Sequence, residues 1–242
     1  TAAVADKTYT AKWAELHTVT FDDGVNNSTV KVAHGDTVAQ PTDPKKDGCK
    51  FDGWYTDKDC TAGKEFKFAD TTVYAKWTPY KTTVEPKVET NADPASKTVE
   101  ITVNVEADPN ELVGATATLN FTDANDNDDS ANVAEVKVNG KTVNQNADGK
   151  YTASLNDLMN TGKALDASEN SAETMMLADV NAGAVVPGTV KGTARLTVTY
   201  KTPGKHRVEI VLNAANGDVI CKKPVAVEIA PEPGTLNLTG CT

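Results

Sequence analysis

The side chains best placed to bind a ligand lie in one acidic stretch, DANDNDD at residues 123 to 129. Its alternate positions all carry side-chain oxygens: Asp123, Asn125, Asn127 and Asp129. This is the spacing with which a tight loop wraps a hard cation such as Ca²⁺. The stretch departs from an EF-hand loop at its sixth and twelfth positions, where Asp128 and Ala134 replace the glycine and the glutamate. We therefore expect either weak Ca²⁺ binding here or an acidic, solvated turn between two strands.

Two of the four cysteines, Cys221 and Cys241, have the spacing of a disulfide across a hairpin. Opposed residues of an antiparallel hairpin have a constant sum, and this pair centres the turn on residue 231, inside the sequence APEPG. Opposed Cα atoms lie about 4.5 to 5.5 Å apart, which a disulfide can span. The sequence thus favours a Cys221–Cys241 bridge, with free buried thiols as the alternative.

The other two cysteines, Cys49 and Cys60, are harder to pair. Their midpoint falls between Trp54 and Tyr55, in the middle of an expected strand. A bridge would require the loop after Asp57 to fold back. Since an even number of cysteines in a secreted protein is typical of a disulfide framework, Cys49–Cys60 remains a second candidate pair.

No combination of residues predicts a catalytic centre. The three histidines, His17, His34 and His206, share no spacing typical of metal ligands. His17 and His206 fall in alternating segments, where we expect a surface-facing imidazole. The metalloprotease, nucleophile-elbow and P-loop motifs are absent from the sequence. We therefore expect a protein that is not an enzyme and that needs no cofactor beyond the Ca²⁺ considered above.

Charge and hydropathy remove two classes of partner. The net charge is −10, and only Arg195 and Arg207 among the 24 basic residues are arginines. This balance opposes binding to the phosphates of a nucleic acid. The longest apolar candidate, AGAVVPG at 182 to 188, is far shorter than the roughly 20 residues that span a bilayer. We expect a monomeric segment of a longer chain, with no nucleic acid partner and no membrane insertion.

The elements that position these residues are predicted to be mainly β-strands. Strict alternation in HTVTF (17 to 21) and STVKVA (28 to 33) is typical of half-buried strands, and DDGVNN between them predicts a hairpin. Residues 36 to 48 carry two prolines and are predicted to form a short helical turn or a crossover loop. Further strands are expected at 50 to 56 and 71 to 77.

The order of motifs in this first part resembles a known family. It reads V-T-F-D, then V-x-x-G-D-T-V, F-D-G-W-Y-T-D and finally V-Y-A-K-W. Residues 15 to 77 thereby resemble the Listeria-Bacteroides repeat, the B repeat of internalin-type surface proteins. The resemblance implies a small β-grasp-like module, often arranged in tandem on secreted or wall-attached bacterial proteins involved in adhesion or spacing. Cys49 stands where the family usually has tyrosine.

A second copy of the closing motif supports a tandem arrangement. TYTAKW at residues 8 to 13 nearly repeats TVYAKW at residues 72 to 77. We interpret residues 1 to 14 as the last strand of a preceding repeat. The aromatic residues of the repeat allow two interpretations, the core of a small module or a platform that stacks on sugars: Phe51, Trp54, Tyr55 and Trp77. A module this small needs its aromatic residues inside, which favours the core.

A second domain begins after a polar segment at 79 to 96 that contains three prolines and is predicted to be a linker and an edge strand. At least seven alternating segments between 97 and 230 predict a β-sandwich. Asn-Gly pairs at 139 and 216 predict hairpin turns. We expect 231 to 242 to form a C-terminal strand or the start of a further module.

An insertion at 156 to 192 interrupts this sandwich. Its segment SAETMMLADV predicts a short helix that Ser171 caps. Met175, Met176 and Leu177 are then expected to be partly buried, as gap fillers rather than as a partner groove.

The segment LTVTYKTPGKHRVEIVLNAANGDVI at 196 to 220 resembles the closing hairpin of bacterial immunoglobulin-like and PKD-like domains. The segment at 99 to 121 instead resembles the opening of a cohesin-like jelly roll. These resemblances imply a mainly β protein, a β-grasp-like repeat followed by an immunoglobulin-like sandwich with a short helical insertion.

The expected function is that of non-catalytic modules of a secreted or cell-wall-attached bacterial surface protein. The repeat would serve as a stalk, and the sandwich would space or bind an unidentified surface protein or glycan. One alternative is an accessory, carbohydrate-binding region of a large secreted glycoside hydrolase. Another is a cohesin-like domain that docks a protein.

The proline-rich boundary predicts that the two domains unfold independently, because such a linker makes few contacts across it. Polypeptides comprising residues 14 to 78 and 79 to 242 should each give a cooperative thermal transition when expressed alone. If neither does, the boundary between Trp77 and Pro79 is misplaced.

Overall fold

The computed structural model describes residues 10–61, 71–89, 93–154, 158–159 and 188–232. The chain divides into two compact units. We call Thr1–Lys45 with Lys50–Thr78 the repeat unit, and Lys46–Cys49 with Pro79–Thr242 the sandwich unit.

The repeat unit is built on one four-stranded sheet. Its strands are β1 (Leu16–Asp22), β2 (Asn27–Ala33), β3 (Cys49–Tyr55) and β4 (Thr71–Pro79), in the order β2-β1-β4-β3. β1 and β2 form an antiparallel hairpin, whereas β1 and β4 run parallel. A hairpin whose first strand pairs with the parallel last strand is the β-grasp-like arrangement that the resemblance implies.

Alternating apolar residues place the core of the repeat unit on one face of this sheet. Val19 and Phe21 on β1 are fully buried, as is Val73, which pairs with Phe21 across the parallel ladder. The hairpin turn is closed by Asp23, whose Oδ1 accepts the backbone N–H of Asn26 at 2.6 Å. Residues 36 to 48 form the crossover loop and contain no helix.

The sandwich unit contains two sheets that share one apolar core. Its strands are β5 (Thr83–Val88), β6 (Thr98–Ala107), β7 (Thr116–Asp123), β8 (Val133–Val138), β9 (Lys141–Thr142), β10 (Tyr151–Ser154), β11 (Val190–Tyr200), β12 (Gly204–Asn213) and β13 (Val219–Ile229). One sheet has the order β5-β6-β11-β8-β9, and the other has the order β10-β7-β12-β13. Short 3-10 turns lie at Pro109–Glu111 and Ser130–Asn132.

The strand order of the sandwich unit can be compared with that of an immunoglobulin constant-type domain, whose sheets read ABED and CFG. β5, β6, β11 and β8 occupy the positions of A, B, E and D, and β7, β12 and β13 occupy those of C, F and G. β9 and β10 are additional. The immunoglobulin-like assignment itself stays a prediction.

Local sequence explains the joints of the sandwich unit. Asn139 and Gly140 both have positive φ, at 49° and 80°, as the tight turn between β8 and β9 requires. The start of β5 is held by Glu111, whose carboxylate accepts the Thr82 backbone N–H at 2.9 Å and the Thr82 hydroxyl at 2.6 Å. Pro86 lies on β5, at the edge of its sheet, where a strand tolerates the loss of an N–H donor.

The predicted insertion falls largely outside the described residues. Leu158 is buried in the core of the sandwich unit, and Met159 packs against the same core. The predicted helix, with Ser171, Met175, Met176 and Leu177, lies outside the part of the chain that the structure describes.

Candidate functional site

The acidic stretch forms a tight turn at the end of β7, organised around Asp123. The Oδ1 atom of Asp123 accepts the backbone N–H groups of Asn125 at 2.8 Å and of Asn127 at 2.9 Å. The Asn127 side-chain amide donates to Oδ2 at 3.0 Å. The bonds from Asn127 and Asn125 hold the pKa of the Asp123 carboxyl below its usual value. The turn is therefore stabilised by its own carboxylate.

The remaining acidic side chains of the turn point to other partners. Asp129 accepts a bond from Nδ1 of His206 at 2.6 Å, and Asp126 pairs with Arg207. The structure thus brings together two of the four predicted oxygen ligands, Asp123 and Asn127, and commits Asp129 to His206. Among the described residues, no group of three or more His, Cys, Asp or Glu side chains is placed to hold a metal ion.

His206 is buried, and the prediction of a surface-facing imidazole was wrong for it. It lies on β12, where it alternates inward with Val208 and Ile210 and is 5% exposed. Its ring stacks on Tyr200, with centroids 4.0 Å apart and planes at 15°. Burial and then the charge of Asp129 raise the pKa of Tyr200. Asp129 makes this inward position possible, because it satisfies one nitrogen of the buried ring.

The aromatic residues of the repeat pack as a core. Trp54 is 4% exposed and meets Phe21 edge-on, with centroids 5.0 Å apart and planes at 74°. Phe51 packs on Trp54 and lies 5.6 Å from Trp77, measured between ring centroids. The Trp77 indole N–H donates to the carbonyl of Asp23 at 3.0 Å, which ties β4 to the hairpin turn. The interpretation of Trp54 as a core residue is confirmed.

Tyr55, the last residue of β3, contacts a lysine side chain on β4. It is half-buried, and the Lys76 ammonium stands 5.0 Å from the centre of its ring. The four aromatic residues considered from the sequence therefore form no single exposed platform.

The structure contains Cys49, Cys60 and Cys221 as free thiols. It therefore does not contain the Cys49–Cys60 bridge considered from the sequence. The Cys60 sulfur lies 3.8 Å from the carbonyl oxygen of Lys58 and 3.9 Å from that of Ala75 on β4. Burial, followed by the nearby charge of Asp57, raises the pKa of the Cys60 thiol.

For the predicted Cys221–Cys241 bridge, the structure describes only Cys221. Cys221 lies on β13 opposite Leu212, and burial raises the pKa of its thiol to about 11. Cys241 lies outside the described residues. The Cys221–Cys241 bridge stays a prediction.

One pair of functional side chains was missed in the sequence. His17 Nε2 and His34 Nδ1 lie 3.2 Å apart at one end of the β1–β2 hairpin. The hairpin register supplies the signal: His17 pairs with Val32, and His34 follows Val32 by two residues, just past the end of β2 and on the same face. A search for fixed spacings within one segment could not find it, because the two histidines belong to different strands.

Comparison with known proteins agrees with this geometry. Residues 17–76 match the Listeria-Bacteroides repeat domain. The match covers β2, β3, all of β1 except Leu16, and the first six of the nine residues of β4.

Two curated relatives come from Evansella cellulosilytica. A "Putative Gly-rich membrane protein" is 38% identical over 74 residues, which cover 28% of this chain and 9% of the relative. A "Putative membrane protein" is 35% identical over 74 residues, which cover 28% of this chain and 11% of the relative. The chain thus spans about a tenth of the length of the curated relatives it matches. Within the described residues, no helix is both long and apolar enough to cross a membrane.

Weak Ca²⁺ binding at the acidic turn remains testable by thermal melting. A ligand that binds only the folded state raises its stability by about 2.7 kcal/mol at a hundredfold excess over Kd. We expect millimolar Ca²⁺ to raise the melting temperature relative to chelator, and Asn125→Ala to reduce the gain. An unchanged melting temperature would support the solvated acidic turn instead.

Asp129→Ala should destabilise the sandwich unit by about 1 to 3 kcal/mol, because it leaves a buried N–H of His206 without an acceptor. Asp126→Ala is the matched control from the same turn. It removes an exposed ion pair with Arg207 and should cost less than about 1 kcal/mol. Urea unfolding followed by far-UV circular dichroism measures both. Equal losses would show that the His206 contact contributes nothing specific.

The Cys221–Cys241 bridge predicts two free thiols on the denatured, unreduced protein. Intact-mass measurement after alkylation without reductant should then show two alkyl groups, on Cys49 and Cys60. Four alkyl groups would eliminate the Cys221–Cys241 bridge. The absence of any alkyl group would instead indicate that Cys49 and Cys60 are also paired.

Proposed function

We propose that this chain comprises two non-catalytic modules of a bacterial cell-envelope protein, and that both act as spacers within a longer surface-exposed polypeptide. The match of residues 17–76 to the Listeria-Bacteroides repeat supports the surface location, as do the two relatives that are named as membrane proteins. Attachment to the cell wall and a role in adhesion are finer parts of the same proposal.

The observation that carries the spacer role is the parallel pairing of β1 and β4. The chain enters the sheet at the start of β1 and leaves it at the end of β4. Val19 on β1 pairs with Thr71 on β4. Leu16, where β1 begins, lies three residues before Val19, and Pro79, where β4 ends, lies eight residues after Thr71. Along the sheet, the two ends are therefore eleven residues apart. Eleven residues of strand extend about 35 Å. The entry and the exit of the repeat unit therefore lie at opposite ends of its sheet.

The sandwich unit is threaded in the same way. Lys223 Nζ on β13 donates to the Glu85 carboxylate on β5 at 2.8 Å, and the Cys221 thiol lies near the backbone of Val84. From one contact to the next the residue numbers of both strands increase, which supports the same direction for β5 and β13. From Pro79 onward, the chain passes through this unit from the start of β5 to the far end of β13, as a module in a linear array requires.

The aromatic residues favour a spacer over the alternative of a carbohydrate-binding accessory region of a glycoside hydrolase. Sugar-binding sites stack rings on exposed aromatic faces. The sandwich unit has four Phe, Tyr or Trp residues beyond Thr78. Phe121, Tyr151 and Tyr200 are buried, and Tyr80 is half-buried against the core. A glycan array probed with residues 79 to 242 tests this alternative directly.

Tandem polypeptides test the spacer role. Polypeptides with one, two and four copies of residues 14 to 78 should show a maximum dimension in small-angle X-ray scattering that rises by about 35 Å per copy. The sequence itself supports a tandem design, because TYTAKW nearly repeats the closing motif of the unit and places Trp13 where the unit has Trp77. Trp13 is 92% exposed.

The scattering experiment has a clear opposing outcome. If the maximum dimension rises only as the cube root of mass, the copies pack into a globule and do not act as spacers. Binding of the sandwich unit to a glycan or to a surface protein would instead favour an adhesive or docking role for that unit.

A further inference from the structure

The backbone of the β1–β2 hairpin fixes His17 and His34 side by side. His17 pairs with Val32 in the antiparallel ladder. The His34 backbone N–H donates to the carbonyl of Glu15 at 2.7 Å, which extends the ladder one pair beyond Leu16 and Ala33. His17 thus lies on β1, and His34 lies in the turn directly after β2, where a backbone hydrogen bond to Glu15 fixes it.

The two rings lie on one face of the hairpin. Side chains of an antiparallel pair that are diagonal by two residues share a face and come within reach when they are long or aromatic. This face also carries Val19 and Val32, which belong to the core. His17 and His34 continue it beyond the apolar residues, where His17 is half-buried and His34 is exposed.

The separation of the two ring nitrogens matches that of a shared metal ion. His17 Nε2 lies 3.2 Å from His34 Nδ1. Two imidazole nitrogens bound to one Zn²⁺ at about 2.0 to 2.1 Å with a tetrahedral angle are about 3.3 Å apart. The ring centroids are 5.5 Å apart and the planes are inclined at 56°.

A hydrogen bond between two imidazole nitrogens places one hydrogen between them. A metal ion binds an imidazole nitrogen that carries no hydrogen. A cation that bridges His17 Nε2 and His34 Nδ1 therefore replaces this hydrogen, which moves to the other nitrogen of its own ring.

The chemistry of two imidazoles selects the class of cation. Imidazole nitrogen suits Zn²⁺, Cu²⁺ and Ni²⁺, whereas Ca²⁺ and Mg²⁺ prefer oxygen ligands. His206, the third histidine, is buried against Asp129. The protein carries a net charge of −10, which raises the local concentration of cations.

We propose that His17 and His34 form a two-ligand site for a divalent transition-metal ion such as Zn²⁺, Cu²⁺ or Ni²⁺. Water fills the remaining coordination positions. The site lies on the repeat unit alone and stands independently of the spacer role.

Isothermal titration of the full chain with Ni²⁺ tests the site, because Ni²⁺ favours nitrogen over the carboxylates of this acidic protein. We expect one Ni²⁺ per chain. His17→Gln and His34→Gln should each weaken binding at least tenfold, since a second ligand on the same scaffold acts at a high effective concentration. Cys60→Ser is the control for thiol ligation and should bind Ni²⁺ as the unsubstituted protein does.

Folding is checked separately from binding. Glutamine keeps a polar side chain at either position, so the metal-free melting curves of the two variants should match that of the unsubstituted chain. Amide NMR signals that Ni²⁺ broadens should centre on residues 16 to 18 and 33 to 35. Ni²⁺ affinity that survives both substitutions, or broadening centred elsewhere, would overturn the proposal and leave a hydrogen-bonded pair only.

Discussion

The parallel pairing of β1 with β4 is the constraint on which the rest of the repeat unit depends. In sequence, β1 and β4 are separated by β2, the crossover loop and β3. The intervening chain must therefore fold back before the hydrogen bonds between β1 and β4 can form. The pairing sets Phe21 beside Val73 and completes the apolar face on which Trp54 packs. It also carries Trp77 to the hairpin turn, where its indole bonds to the backbone. Because this contact is distant in sequence, it is costly in chain entropy and must be repaid by the burial that it completes.

The sandwich unit solves a different problem, which is how to hold a polar ring in an apolar interior. Its two sheets bury mostly aliphatic residues, and His206 is an exception among them. Asp129 reaches it from the turn after β7, while Tyr200 covers the face of the ring. The acidic turn therefore serves the fold through Asp129, whatever its other residues bind. Its own shape depends on Asp123, which accepts hydrogen bonds from the chain that follows it.

Period-two alternation was sufficient to predict the strands, since burial on one face of a pleated strand leaves a direct trace in sequence. The same alternation assigns His206 to the face of β12 that carries Val208 and Ile210, which is the buried face. The prediction that His206 faces solvent was wrong because it relied on the usual exposure of histidine rather than on this alternation. Its partner Asp129 is distant in sequence, so no local pattern could reveal the compensation. The His17–His34 contact required the hairpin register rather than residue spacing.

The direction of threading through the repeat unit has a mechanical consequence. When tension acts on the chain, it pulls the start of β1 and the end of β4 in opposite directions along the shared ladder. The hydrogen bonds between these strands lie across the line of force, so they resist together and must break nearly at once. In a hairpin pulled at its open end, as β1 and β2 would be if they were loaded alone, the bonds would break one after another at lower force. A module that meets tension in shear stays folded under loads that would unzip such a hairpin.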